Sequence, residues 1–543
     1  MLNAKRPEFV TLAVALYIVA VLNLPFWKLF LGTVAPNSVS EWAFVAATAV
    51  GLLALLNAIL LSFALRPVFR IVLAVLLPVT AAASYFMHEY GVVIDVNMVR
   101  NVFETDSREA GDLISTRMAL AVGVLGVLPA VLLWRVPWVE RGYEEDFRAK
   151  LKAAAVSLAV AAIAIFPFWG DVLSTFREKR ELRLTLTPSN YMTALSRYIG
   201  KHLRSGTVVV KAYGEDAHRA QGDVRGPRKS LFVIVIGETA RADHFQLNGY
   251  ARATNPELLK IDGLINFPKA YSCGTDTAQS VPCMFSGLGR KNFSNDAAAS
   301  RENLLDILKR AGFDVIWREN QAGCKGVCAR VTTENLTGLQ HPTFYARSEN
   351  LDEILVDGLA DRIAHLERDT VIVMHMMGSH GPAYWKRYPD KFEVFQPVCR
   401  ESQFSRCTLE EIVNAYDNTM LYSDFVLGRL IGILGSAAAH SVDTGMIYMS
   451  DHGESLGENG LYLHGMPYAI APEAQTHVPM VAWLSPTLVE KSGADRGCLA
   501  GRSGDATGHY HLFHSVLGLL DVSTKAYDPA LDLFAPCRRK SGT

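Results

Sequence analysis

At 543 residues the chain is too long for one compact domain, and with 50% apolar residues and a mean hydropathy of +0.15 it is too apolar to be wholly soluble. Its 53 Lys and Arg against 54 Asp and Glu leave a formal net charge of −1, which removes the electrostatic case for nucleic-acid binding. Membrane and lipid are the partners this composition points to.

The apolar excess lies at the front. Uncharged stretches run Phe9–Trp27, Trp42–Leu65, Ile71–Met87, Met118–Trp134 and Ala153–Gly170, each near the roughly 17 to 25 residues needed to cross a bilayer. Five such stretches leave no polar face for a soluble bundle, so residues 1–170 read as a five-helix transmembrane domain rather than as buried core helices. No small-residue cleavage site follows the first stretch, which is expected to remain as an anchor. Lys5 and Arg6 precede the first span, Arg66 and Arg70 fill the second loop, and Arg135, Arg141, Arg148, Lys150 and Lys152 crowd the fourth; the first loop, Leu31–Glu41, has no basic residue. The positive-inside rule then sets the N-terminus in the cytoplasm and, after an odd number of spans, everything beyond Gly170 on the outer side.

Between the third and fourth spans, NVFETDSRE carries Asn101, Thr105 and Glu109 at helical i, i+4 spacing, so one face presents an amide, a hydroxyl and a carboxylate. A solvated polar loop is the alternative. Residues 171–229 turn polar and basic and read as an amphipathic linker: Arg177, Lys179, Arg180 and Arg183 can meet anionic headgroups while Leu182, Leu184 and Leu186 face apolar surface. A solvated charged helix fits the same pattern.

Residues 230–543 form the large outer domain. Short apolar runs at Leu231–Ile236, Asp314–Trp317, Val371–Met377, Gly445–Met449 and Val478–Leu484 alternate with helical spacing at Arg301–Ala311 and Leu409–Leu434, which predicts a mainly parallel sheet covered by helices. All eight cysteines lie here, several closely spaced: Cys273 with Cys283, Cys324 with Cys328, Cys399 with Cys407. This suits a disulfide framework in an oxidising space. Cys498 with Cys537 is the working pair for the last two, and no second CxxC-type pair completes a zinc set with Cys324 and Cys328.

Two of the apolar runs end in chemistry. SDHGES follows MIYM and presents Asp451 and His452 at a strand exit; LFVIVI delivers Gly237 and Glu238 in the same way. Carboxylates with an imidazole suit zinc, with manganese a rival. Taken alone, Glu238 reads more readily as the N-terminal residue of a helix, and Asp451 with His452 reverses that balance. In SCGTDTAQSVPCMFSG, Thr275 and Thr277 lie in a turn held by Cys273 and Cys283. Thr277 is an N-cap on one reading and, facing a metal, an activated nucleophile on the other. The helix that follows would favour an anionic substrate. His509, His511 and His514 invite a metal assignment that helix amphipathicity explains as well.

The chain resembles the phosphoethanolamine transferases that modify lipid A, which include the mobile colistin-resistance enzymes, within the alkaline phosphatase and sulfatase superfamily. The resemblance spans nearly the whole chain and rests on VIGETARADHFQLNGYARATNP, CGTDTAQSVPCMFS, ENQAGCKGVC, GSHGP and SDHGESLGENGLYLHGMPYAIAPEAQTHVPM. It implies an α/β/α outer domain of alkaline phosphatase type, a zinc site at Glu238, Thr277, Asp451 and His452, and Thr277 as the residue that becomes phosphoethanolaminylated. A second metal is left open. Lys325, His380 and His464 match the family's phosphate and substrate contacts, and Asn101, Thr105 and Glu109 a role in binding the ethanolamine-bearing lipid. His477 is an accessory zinc ligand or a loop residue, and His375 reads as a strand histidine. The departure is Asp276, where the family usually has Ser.

The implied reaction moves phosphoethanolamine from phosphatidylethanolamine to a lipid A phosphate by way of a phosphothreonine diester, in a monomer of the bacterial inner membrane with a periplasmic catalytic domain. It would weaken binding of polymyxins and cationic peptides. A core-sugar acceptor, phosphoglycerol transfer, or a non-catalytic membrane sensor or assembly protein on the same fold are the alternatives.

Overall fold

The structure, a computed structural model, describes residues 5–64, 68–104, 107–139, 141–204, 209–220 and 228–538. The chain forms two compact units, Met1–Arg204 and Ser205–Thr543.

In the first unit, Val39–Ser62, Val68–Tyr90, Thr116–Trp134 and Tyr143–Glu178 are long and apolar enough to cross a membrane. The first expected span is instead a bent pair, Pro7–Leu22 and Leu24–Val34, at 62°. Pro25 has no N–H to continue the helix. The buried Asn23 fills the break, donating to the Ile18 and Thr187 carbonyls at 3.0 and 2.8 Å. Leu182 of the expected linker is fully buried in this unit, in a cluster with Phe26, Phe30 and Phe44. Arg66, in the second loop, lies outside the described residues.

The second unit is built on a seven-stranded sheet: β1 (Lys229–Gly237), β2 (Ile265–Asn266), β3 (Asp314–Glu319), β4 (Thr332–Asn335), β5 (Thr370–His375), β6 (Val442–Ser450) and β7 (Met480–Leu484). The strand order is β2-β7-β6-β1-β5-β3-β4. The five strands from β6 to β4 run parallel, while β7 is antiparallel to β6 and β2 to β7. Strands β1, β5 and β6 lie inside the sheet and are buried almost throughout, so their sequences are continuously apolar rather than alternating. The run expected as one strand, Val478–Leu484, divides at Pro479: His477–Val478 pairs with Ala270–Tyr271, and Met480–Leu484 joins the main sheet.

Leu409–His440 is also long and apolar enough for a membrane span. Its apolar residues, among them Tyr416, Met420, Leu427 and Leu434, are buried in the second unit, so its hydropathy reflects a domain core. Four disulfides join Cys273–Cys283, Cys324–Cys328, Cys399–Cys407 and Cys498–Cys537, leaving no free cysteine.

Candidate active site

Strands β1 and β6 are neighbours with Gly237 opposite Ser450, so the next residues, Glu238 and Asp451, leave the carboxyl edge of the sheet together. The Asp451 N–H donates to the Gly237 carbonyl at 2.9 Å and fixes that exit. Glu238, Asp451 and His452 are fully buried. Asp451 Oδ1 accepts from the Thr239 and His452 amides at 3.3 and 2.7 Å. Glu238 Oε2 accepts from Thr277 Oγ1 at 3.1 Å and Gln321 Nε2 at 3.0 Å. The second oxygen of each carboxylate, Glu238 Oε1 and Asp451 Oδ2, has no hydrogen-bond partner.

These two oxygens lie 3.3 and 3.4 Å from His452 Nε2. His452 Nδ1 is 3.0 Å from the Gly453 carbonyl, which can only accept, so in the neutral ring Nε2 offers a lone pair. Thr277 Oγ1 is 3.4 Å from the same nitrogen. A buried carboxylate oxygen without a partner is costly, and two facing one imidazole lone pair form a cation's donor set. Ligand atoms of Glu238, Asp451 and His452 all lie within 4.8 Å of one another. With Thr277 they supply three oxygens and one nitrogen, a four-ligand set suited to zinc.

Burial, then the Asp451 charge, pushes the Glu238 carboxyl up to about 8, against the opposing pull of His380, His464 and His375. A cation must therefore displace a proton from Glu238 at neutral pH.

Thr277 is the first residue of the Thr277–Ser286 helix, and Asp276 is its N-cap, accepting from the Gln279 amide at 3.0 Å. The unusual aspartate thus caps the helix end that begins with Thr277. Thr275 is turned to other work: its hydroxyl donates to the Met466 carbonyl at 2.6 Å and its carbonyl accepts from Gly465 at 2.8 Å. This ties the turn before Thr277 to the loop carrying His464.

His464 lies over His452, ring centroids 4.3 Å apart, and 5.6 Å from His380. Its Nδ1 is 2.7 Å from Glu454 Oε2, whose other oxygen accepts from Tyr384 at 2.7 Å. Burial and His452 oppose charging of this ring, but Glu454 and Glu238 leave it above its ordinary value. Lys325 sits in the Cys324–Cys328 loop at φ 49°, with its ammonium 3.1 Å from the Ala322 carbonyl. Fully buried His375 pairs with Glu319 at 2.9 Å. His477 places Nε2 2.7 Å from the Pro268 carbonyl and stacks on Tyr271, outside the Glu238 cluster. Asn101 lies on Val96–Glu104 and Glu109 on Ser107–Leu113, both in the first unit; Thr105 lies outside the described residues.

Two residues of the site lie inside the ENQAGCKGVC and GSHGP motifs, but the sequence alone assigns them no role. Gln321 arrives from the loop after β3, two strands from β1, so only the strand order brings it to Glu238. Gly378, at φ 52°, lies so close to Glu238 that a Cβ would meet its carbonyl oxygen at 2.7 Å and its nitrogen at 2.9 Å. The glycine of GSHGP is thus required by its contact with the Glu238 backbone.

The model described as phosphoethanolamine transferase EptA/EptB matches residues 52–203, and the sulfatase model matches residues 230–522. Phosphoethanolamine transferase EptA of Salmonella typhimurium is 40% identical over 532 residues, covering 97% of this chain and 96% of its own. The chain belongs to the phosphoethanolamine transferase family. Phosphatidylethanolamine transferase Mcr-1 of Escherichia coli is 37% identical over 492 residues, 88% of this chain and 89% of that one. The solved integral membrane lipooligosaccharide phosphoethanolamine transferase A of Neisseria meningitidis has a TM-score of 0.94 and 35% identity, covering 98% of this chain and 99% of its own. The family fold thus covers both units, and the second unit is of the alkaline phosphatase and sulfatase type.

For this transferase, Gly378→Ala should displace Glu238 and lower kcat/KM at least about tenfold, equivalent to about 1.4 kcal/mol; unchanged kinetics would show that the backbone yields there. The raised Glu238 value sets a second expectation. The protonated carboxyl favours the metal-free folded state at low pH, and that contribution is lost as pH rises through about 8. Between pH 7 and pH 9, the protons released on zinc binding to metal-free protein should fall by about one, measured by calorimetry in buffers of differing ionisation enthalpy. A constant release would contradict the assignment.

Proposed function

We propose that this transferase moves phosphoethanolamine from phosphatidylethanolamine to a phosphate of lipid A, using zinc and a phosphothreonine diester at Thr277. The observation that carries the reading is the Thr277 hydroxyl donating to Glu238 at 3.1 Å beside two unpartnered carboxylate oxygens. The relatives' names support the group and the lipids: Mcr-1 is named a phosphatidylethanolamine transferase and the meningococcal protein a lipooligosaccharide phosphoethanolamine transferase.

Glu238, Asp451, His452 and Thr277 would hold the ion, which when bound lowers the hydroxyl pKa and offsets charge on the phosphoryl oxygens. Thr277 Oγ1 attacks phosphorus, and its proton passes to Glu238, the acceptor it already faces. The bond from phosphorus to the glyceryl oxygen breaks. His464, held above its ordinary pKa by Glu454, protonates the departing diacylglycerol. A protonated lipid A phosphate then passes its proton to His464 as its oxygen attacks the diester, the P–Oγ1 bond breaks, and Thr277 regains its proton from Glu238. Lys325, His380 and the N-terminus of the Thr277–Ser286 helix favour the anionic groups.

In this reading Asn101, Thr105 and Glu109 bind the ethanolamine-bearing donor, and residues 1–170 anchor a monomer in the inner membrane. The N-terminus lies in the cytoplasm and the catalytic domain in the periplasm, where its four disulfides persist. Modified lipid A carries less negative charge, so polymyxins and other cationic peptides bind it less.

The test is mass spectrometry of lipid A from a Gram-negative host lacking its own phosphoethanolamine transferases. The unmutated chain should add a phosphoethanolamine increment and Thr277→Ala should add none. An increment with Thr277→Ala would remove Thr277 as the nucleophile, and none with either chain would redirect the reading to another acceptor or donor.

A further inference from the structure

Of the three histidines near the C-terminal helix Leu512–Leu519, two serve local backbone. His511 Nδ1 accepts from the Gly508 amide at 3.1 Å, and His514 Nδ1 from the Asp528 amide at 3.0 Å. His509 is placed differently. The strand Thr507–Gly508 pairs in parallel with Ala270–Tyr271, which carries His509 alongside the segment leading to the nucleophile. The ring is fully buried.

His509 Nδ1 accepts from the Cys273 amide at 3.1 Å, and Nε2 lies 2.9 Å from the Ser450 carbonyl. An amide N–H only donates and a carbonyl only accepts, so the ring is neutral, carries its hydrogen on Nε2 and has both nitrogens engaged. Burial lowers its pKa to about 4, in keeping with that state.

The two partners lie at the roots of the site. Cys273 opens the disulfide-held turn that ends in Thr277. Ser450 is the last residue of β6, directly before Asp451 and His452, and its hydroxyl takes the Ala240 amide at 2.8 Å and donates to the His452 carbonyl at 3.0 Å. One imidazole therefore spans from the nucleophile turn to the strand end that bears two of the proposed metal ligands.

We infer that His509 is a positioning residue of the transfer reaction, its neutral imidazole setting the separation between Thr277 and the Asp451–His452 pair. The inference rests on Thr277 being the nucleophile. Removing the ring leaves a buried amide and a buried carbonyl unpartnered beside a void, so the turn shifts relative to the strand. A displacement of about 1 Å in a reacting group costs about 100-fold in rate.

The experiment uses the full-length, zinc-loaded chain in detergent with phosphatidylethanolamine and lipid A. His509→Ala should lower kcat about 10- to 100-fold, as loss of outer positioning partners does, with zinc content unchanged and KM for the donor within about twofold. Added imidazole should restore at least about fivefold, whereas 1-methylimidazole, which accepts but cannot donate, should not; His511→Ala should stay within about twofold of the unmutated chain. An unaffected kcat, equal rescue by both rings, or a loss confined to KM or zinc content would overturn the inference. If His509→Ala does not fold, His509→Gln, which keeps a donor and an acceptor, should exceed His509→Leu at least about fivefold in kcat, and equal rates would overturn it. Thr277→Ala in the same assay separates the two claims: activity there defeats the nucleophile assignment itself, and inactivity leaves the His509 results to decide the positioning role alone.

Discussion

Because β1 and β6 are adjacent and parallel with Gly237 opposite Ser450, the sheet delivers Glu238 and Asp451 into one fully buried space with an oxygen of each left unpartnered. Two like charges that close, without solvent, are unfavourable unless one is protonated or a cation lies between them. The raised Glu238 value is the first outcome and a bound divalent ion the second. The hydroxyl of Thr277 lies beside that choice, donating to Glu238 at 3.1 Å.

The surrounding loops keep that arrangement in register. Gln321 and Thr277 hold one Glu238 oxygen while the other faces His452. Gly378 allows the GSHGP loop to lie directly on Glu238, and Ser379 donates to the Glu238 carbonyl at 3.0 Å. Thr275 ties the turn before Thr277 to the His464 loop, and His509 ties it to β6. The turn is thus fixed on three sides: by its own disulfide, by a threonine and by an imidazole.

The features set by local pattern were legible in the sequence. Continuous apolar runs mark the interior strands β1 and β6, and the residues after them, Glu238, Asp451 and His452, lie together in the structure because strand exits in a parallel sheet share one edge. What depends on long-range order was not. Gln321 reaches Glu238 only because β3 lies two strands from β1. His509 belongs to a short 3₁₀ turn rather than to an amphipathic helix, so a helical pattern assigns it no partner. Composition also cannot report a bend: Pro25 lies inside an apolar run, yet it and Asn23 break the first span by 62°. Leu409–Leu434, expected as a helix over the sheet, is one: its length and hydropathy also fit a span, but it buries Asp417 and Asp424 in the domain core. Asp417 meets His244, Tyr250 and Arg252, and Asp424 caps the Glu257 and Leu258 amides.

The central claim is that Thr277 becomes covalently modified. The most direct test is peptide mass spectrometry of the full-length protein incubated with phosphatidylethanolamine and no acceptor lipid. The account predicts a phosphoethanolamine adduct on Thr277 that disappears when lipid A is added. An adduct on another residue, or full transfer activity with no adduct under rapid quenching, would contradict it.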